Sequence, residues 1–165
     1  MILNKIMDKI KKSNSNPKKT KANHMTTYLI IILNDEKHLI KIKHISKIVK
    51  YKQIFPLPDS HKHLLGVSNI SGEIIPVLNL KLILNISLKE ITSNEKIIIV
   101  RHKGYIVGFL VNDVIDMIKL PDKQLKKDTT KSIGNEFIKG EFIIDKDVID
   151  EIDVPKIIEN YKNKK

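Results

Sequence analysis

The sequence predicts an all-β fold built from two similar small barrels. Three observations predict it: a length of 165 residues, short apolar runs separated by turn residues, and a pattern of segments that occurs twice. Two units of about five short strands could each close their own sheet edges. Each unit is near the lower size limit for independent stability, so we expect the two to pack together.

The repeat is read from ordered matches between the two halves of the chain. In the first half, the predicted strands 28–33 and 38–42 flank a polar turn and precede segment 45–49. In the second half, 96–101, 105–111 and 114–118 follow the same order, and each half is predicted to end this unit with a short helical or twisted segment. Further matches recur at a constant offset of 74, including Gly66 with Gly140, Ile75 with Ile149, and Asn79 with Asp153.

A shorter match places Leu57-Pro58-Asp59 opposite Leu120-Pro121-Asp122, at an offset of 63. This match predicts a longer polar surface loop in the second half, around Lys123 to Asn135.

The two chain ends are basic and differ from the body in composition. Residues 1–24 carry a charge of +6, and the sequence predicts a flexible N-terminal extension there, with helical apolar spacing up to Lys12 and a Ser/Asn/Lys-rich linker after it. Three alternatives remain open for the extension: disorder, docking on a partner or on the domain itself, and peripheral contact with an anionic membrane surface. Residues 155–161 are predicted to form a C-terminal helix with Pro155 in its first turn.

Charge and motif content exclude several function classes. Of the net charge of +11, only +2 belongs to residues 25–155, which does not favour nucleic-acid binding by the body. The chain has no cysteine, which excludes disulfides, thiolate metal sites and a cysteine nucleophile, and suits a cytoplasmic protein. No nucleophile, phosphate-loop or dinucleotide motif occurs, and His61 and His63 are interpreted as solvated loop residues. We therefore predict no catalysis, no cofactor and no metal.

Four segments together form a recognisable pattern. The run Leu65–Leu80 contains Gly-Val, then Asn-Ile-Ser-Gly, then an apolar-Pro-apolar-apolar-Asn-Leu run, and segments 45–48, 54–58 and 108–114 accompany it. In this order they resemble the CheW-like family, whose pattern has Gly-Val, Asn-Leu-Arg-Gly and apolar-Pro-apolar-apolar-Asp-Leu, and whose members act in chemotaxis. The resemblance extends from Thr26 to about Asn160.

The resemblance implies two intertwined five-stranded SH3-like barrels, here a domain at 25–165 with subdomains of roughly 25–90 and 91–160. It also implies an adaptor without catalysis, located in the cytoplasm at membrane-associated chemoreceptor arrays. Such adaptors bind the regulatory domain of the histidine kinase CheA through the first barrel, and chemoreceptor cytoplasmic tips in a groove between the barrels. The alternative function is a basic β-barrel that binds nucleic acid.

The sequence departs from the family pattern at four polar positions. Ser71 replaces the family's arginine, Lys47 replaces an acid, and Asn79 and Asn112 each replace an aspartate. Because Lys47 reverses a charge, we expect partners suited to the standard pattern to bind poorly. The predicted partner-contact residues are Ile45, Lys47, Asn69 and Ser71.

Overall fold

The computed structural model describes residues 2–14, 23–129 and 134–164. The strands, in chain order, are β1 (Met25–Leu33), β2 (Glu36–Lys41), β3 (Ile45–Lys50), β4 (Leu64–Ile70), β5 (Glu73–Leu78), β6 (Lys96–His102), β7 (Tyr105–Val111), β8 (Asp113–Pro121), β9 (Ile138–Ile144) and β10 (Asp147–Ile152). The helices used below are α1 (Ile2–Asn14), α2 (Leu80–Ile83) and α3 (Val154–Asn163). The predicted all-β fold class is therefore confirmed.

The strands form two five-stranded sheets of matching topology. Sheet 1 has the order β8-β1-β2-β10-β9, and sheet 2 has the order β3-β6-β7-β5-β4. Each sheet contains one parallel pair, β2 with β10 in sheet 1 and β5 with β7 in sheet 2, among antiparallel neighbours. The two orders are equivalent: each strand of sheet 1 has its counterpart in sheet 2 five strands earlier or later in the chain, so that β1 corresponds to β6 and β8 to β3.

The sheets are intertwined because the two repeats exchange their first hairpins. The β1–β2 hairpin of the first repeat joins β8, β9 and β10 of the second, and the β6–β7 hairpin joins β3, β4 and β5. The halves 25–90 and 91–160 are thus the two sequence repeats, but neither half is one of the sheets. Segments 45–49 and 114–118 lie in strands β3 and β8, so they are not helical.

Backbone irregularities recur at equivalent places in the two repeats. One extra residue bulges out of β3 at Ser46 and out of β8 at Ile115, between otherwise regular pairs. Leu65 in β4 and Lys139 in β9 form a second equivalent pair of bulges. This agreement supports a duplicated unit.

The predicted Leu-Pro-Asp match is wrong. Isolated bridges join Phe55 to Val67 and Lys126 to Glu141, so Phe55 is equivalent to Lys126. Phe55 precedes the first Leu-Pro-Asp segment, whereas Lys126 follows the second. The two segments therefore occupy different places: Leu120 and Pro121 lie in strand β8, whereas Leu57 and Pro58 lie outside the strands.

Each sheet encloses a small core of its own, and a larger core separates the sheets. The core of sheet 1 takes one or more buried residues from each of its five strands: Tyr28, Leu39, Leu120, Phe142 and Ile149. The core of sheet 2 is built in the same way, with Val49 of β3 packed against it. The larger cluster combines both sheets with residues of α1, α2 and α3.

The N-terminal helix packs on the domain. Ile6 and Ile10 of α1 are each 2% exposed and belong to the larger core. Residues 2–14 are therefore an ordered part of the fold, in contrast to the predicted flexible extension, while the predicted linker falls mostly on 15–22, outside the described residues. The predicted C-terminal helix is α3, which begins at Val154 with Pro155 in its first turn. Among the described residues, no helix has the length and apolar character needed to cross a membrane.

Candidate partner-binding site

Two segments that are 24 residues apart in sequence meet at the surface of sheet 2. The Lys47 side chain projects from β3, and its Nζ donates a hydrogen bond of 3.0 Å to Oγ of Ser71 in the β4–β5 turn. Both side chains are exposed. Two of the four predicted contact residues therefore form one surface feature, and these are also the positions of two departures from the family pattern.

The β4–β5 turn is a two-residue turn that the sequence specifies locally. Ser71 has φ of +54° and Gly72 has φ of +88°, as expected for a tight hairpin turn with two left-handed residues. Oδ1 of Asn69 accepts a hydrogen bond of 2.9 Å from the backbone N–H of Gly72. Asn69 is exposed and therefore accessible, but its side-chain oxygen is used to hold the turn.

The bulge in β3 decides which of its side chains face outward. Ser46 is the extra residue, and Ser46 and Lys47 are exposed while Ile45 and Ile48 are buried. Ile45 is only 4% exposed and belongs to the larger core. Its burial removes it from the candidate contact residues, because a partner cannot reach it without unpacking the core.

A surface cavity of about 230 Å³ opens beside the Lys47–Ser71 pair. Its lining includes two charged residues that sequence reasoning missed, Glu73 and Arg101. Arg101 lies in β6, one residue before its end, and is the single arginine among the 30 lysine and arginine residues. A lone arginine in a lysine-rich sequence could have indicated a contact residue, because a guanidinium offers a planar set of donors that lysine cannot provide.

The surface around this cavity combines a basic centre with an apolar side chain. Lys47 and Arg101 outnumber Glu73 in the cavity lining. Ile106, which is half-buried, also lines the cavity. We call this surface, formed by Lys47, Ser71, Glu73, Arg101 and Ile106, the β3-hairpin surface. A partly exposed apolar residue flanked by polar groups is typical of protein-binding surfaces.

The other two departures from the family pattern have structural roles inside the domain. Oδ1 of Asn79 accepts from the backbone N–H of Leu82 at 3.3 Å and caps α2. Asn112 donates to Oε1 of Glu95 at 3.2 Å and accepts from the backbone N–H of Asn34 at 2.6 Å. Burial raises the pKa of the Glu95 carboxyl, and the nearby Lys81 opposes that rise.

Sequence comparison places this architecture among known proteins. A model of the CheW-like domain matches residues 27–162. The chain is 35% identical to the chemotaxis protein CheW of Thermotoga maritima over 118 residues, which cover 72% of this chain and 78% of the relative. It is 27% identical to the chemotaxis protein CheW of Bacillus subtilis over 112 residues, which cover 64% of this chain and 72% of the relative.

Structural comparison agrees with the sequence. The crystal structure of the scaffolding protein TtCheW from Thermoanaerobacter tengcongensis superposes with a TM-score of 0.69 at 25% identity, covering 78% of this chain and 89% of that chain. The match supports the predicted fold of two SH3-like barrels. The family match, the curated relatives and the shared fold lead to one conclusion: the chain belongs to the CheW-like domain family.

Proposed function

We propose that this protein is a chemotaxis adaptor, which couples chemoreceptors to a CheA-type histidine kinase and performs no catalysis itself. The observation that carries the proposal is the convergence of Lys47 and Ser71, two positions of the family pattern, at one exposed surface. The family match over residues 27–162 supports it independently. The protein would act in the cytoplasm, at membrane-associated receptor arrays.

We assign the kinase regulatory domain to the β3-hairpin surface. Lys47 and Arg101 make this surface basic, so the kinase surface that binds here should present carboxylates or backbone carbonyls to them. Ile106, half-buried in the cavity lining, supplies apolar surface for such an interface. The chemoreceptor tip is assigned to the region between the two sheets.

The contact between Lys47 and Ser71 changes how their departure from the family is understood. An acid and an arginine at these positions would face each other, and here an ammonium faces a hydroxyl. The two replacements therefore act as one change, from an oppositely charged pair to a cationic hydrogen-bonding pair. We propose that this change adapts the surface to a matching kinase.

Calorimetric titration with the kinase regulatory domain from the same genome tests the assignment. We expect Lys47→Glu to weaken binding about tenfold, which corresponds to about 1.4 kcal/mol, and the exposed loop variant Lys62→Glu to serve as the charge-matched control. For a regulatory domain whose own adaptor has the standard pattern, Lys47→Glu with Ser71→Arg should instead strengthen binding. Equal affinities for all these variants would refute the assignment of this surface.

The alternative of a nucleic-acid-binding barrel is not favoured. The body of the chain, residues 25–155, carries only +2, whereas the basic charge is concentrated at the chain ends. Strong, salt-dependent binding to nucleic acid by a chain that lacks residues 1–24 would revive this alternative.

A further inference from the structure

Helix α1 lies across the edge strands of both sheets. Strand β3 is the terminal strand of sheet 2, and β8 is the terminal strand of sheet 1. Helix α1 contacts both strands and the turn formed by residues 42–44 that leads into β3. We call this covered area, formed by residues 42–44, β3 and β8, the β3–β8 surface. Its two strands occupy equivalent places in the two repeats.

Helix α1 is amphipathic, and its apolar face makes the contact. Ile6 and Ile10 are four residues apart and buried, and Leu3 and Met7 pack beside them on the same helix face. Ile2 is 69% exposed and Asn4 is exposed, on the outer part of the helix. The β3–β8 surface is therefore shaped to receive a helix through isoleucine side chains one turn apart.

An ion pair also joins the helix to β8. Nζ of Lys9 lies 3.6 Å from Oδ1 of Asp116 on β8, and both side chains are more than half exposed. An exposed ion pair of this kind contributes little to stability. The pair adds specificity instead, because Asp116 favours a helix with a basic residue next to the second buried isoleucine, Ile10.

Helix α1 has little helical stability of its own. It has 13 residues and no acidic residue in its first turn, and isolated helices of this length are marginal in water. The contacts named above that dock it are two buried isoleucines, their neighbours and the exposed Lys9–Asp116 pair. Because the same chain carries both parts, the local concentration of α1 is on the order of millimolar, which compensates for weak intrinsic affinity.

The proposed function assigns the chemoreceptor tip to the region between the two sheets, and the β3–β8 surface takes one strand from each sheet. We propose that α1 occupies this surface as an intramolecular competitor of an amphipathic partner helix. The partner helix would have large aliphatic residues four apart and a basic residue in the position of Lys9. A helix of the chemoreceptor tip is the occupant we assign, and this assignment rests on the proposed function. Release of α1 would then raise receptor affinity, because a partner binds only the fraction of molecules whose site is open.

A labelled peptide of residues 1–14 tests the helix site without any receptor. It is titrated by fluorescence anisotropy against three full-length chains: the wild type, Ile6→Asp with Ile10→Asp, and the control Ile2→Asp with Asn4→Asp. The control adds the same charge at exposed positions of the same helix. We expect the Ile6/Ile10 variant to bind the peptide at least tenfold more tightly than the wild type, and the control to match the wild type.

Circular dichroism establishes that each variant is folded. If the Ile6/Ile10 variant unfolds, Lys9→Glu replaces it, because repulsion from Asp116 loosens α1 without a change in the core; a threefold gain in peptide affinity is then expected. Equal affinities for the wild type and the undocked variant, or no binding to the folded undocked variant, would overturn the helix site.

A second titration, with a chemoreceptor tip fragment, tests the assigned partner. We expect the same ratio of affinities between the Ile6/Ile10 variant and the wild type as for the peptide. A receptor fragment that binds both chains equally would overturn competition with the receptor while leaving the peptide result intact. If neither the receptor fragment nor the kinase domain binds the wild type or the Ile6/Ile10 variant, the proposed adaptor function is wrong. The peptide titration then still decides whether the helix site exists.

Discussion

The hydroxyl of Tyr28 in β1 donates a hydrogen bond of 3.1 Å to Oε2 of Glu151 in β10. Glu151 is 1% exposed, and Nζ of Lys41 lies 3.3 Å from its other carboxylate oxygen, Oε1. The hydrogen bond between Tyr28 and Glu151 therefore joins the first and the last strand of the chain within sheet 1. A buried carboxylate depends on such donors, because removal of one leaves part of its charge without compensation.

Tyr28→Phe is expected to lower the free energy of unfolding by roughly 1.5–3 kcal/mol, the range for a hydrogen bond to a charged group. The ring contact with Phe142, at 5.3 Å between centroids, remains in this variant. Urea denaturation measures the loss, and Tyr51→Phe, a half-buried tyrosine elsewhere, is the control. A loss no larger than in the control would mean that the hydroxyl does not stabilise Glu151.

The Lys47–Ser71 contact predicts coupled effects on stability. Ser71→Arg alone places a guanidinium beside Lys47 and Arg101 and should destabilise the protein by about 0.5–1 kcal/mol. Lys47→Glu in the same chain restores an attractive pair and should recover most of that loss. Thermal or urea unfolding of the two single variants and the double variant gives the coupling free energy. Strict additivity of the two changes would contradict the contact.

Two glycines at equivalent places in the repeats should both be intolerant of a side chain. A Cβ on Gly66 would lie 2.2 Å from the carbonyl oxygen of Phe55, and a Cβ on Gly140 would lie 2.6 Å from that of Lys126. Gly66→Ala and Gly140→Ala should each cost roughly 2–3 kcal/mol, because a backbone atom must move. Gly134→Ala, where no heavy atom lies within 4 Å, is the control. The free energies of unfolding are measured in urea, and a neutral result at either Gly66 or Gly140 would contradict the equivalence.

His44 predicts a specific loss of stability in acid. Burial, together with repulsion from Lys43 and His102, lowers the pKa of His44 from 6.5 to about 4. Well above pH 6.5 His44 is neutral in both states, so it has no effect there. Between pH 6.5 and 4 the unfolded chain binds the proton more strongly, so stability falls as the pH falls.

Urea unfolding at pH 7, 6 and 5 checks this prediction, with His44→Asn as the comparison. The variant should lose less stability than the wild type across this range. His61 and His63, whose pKa values are also lowered by burial, act in the same direction, while the raised pKa of Glu95 acts in the opposite one. These groups are common to both proteins, so parallel pH profiles would show that His44 does not contribute.

The repeat and the strand pattern were predictable from sequence because they depend on local periodicity. Gly66 and Gly140 share an offset of 74, and both lie next to a bulge where no side chain fits. Asn79 and Asp153 share the same offset, and each caps the helix that follows it. Such features are local, so residue type and spacing identify them.

The candidate site was predictable only in part, because side-chain direction in β3 depends on a bulge. An alternating strand would give no reason to separate Ile45 from Lys47, but the extra residue Ser46 places one in the core and the other at the surface. Arg101 joins the site through pairing of strands distant in sequence. The docking of α1 was left open for a similar reason, since an amphipathic pattern does not identify the surface it covers.

The exchange of hairpins between the repeats makes the two barrels inseparable during folding. Sheet 1 closes only when Met25 is paired with Pro121. The chain between these two residues contains every strand of sheet 2. Neither barrel can melt while the other survives, so denaturation should show a single transition. The native state also requires these pairings between distant parts of the chain, so we expect the protein to fold slowly.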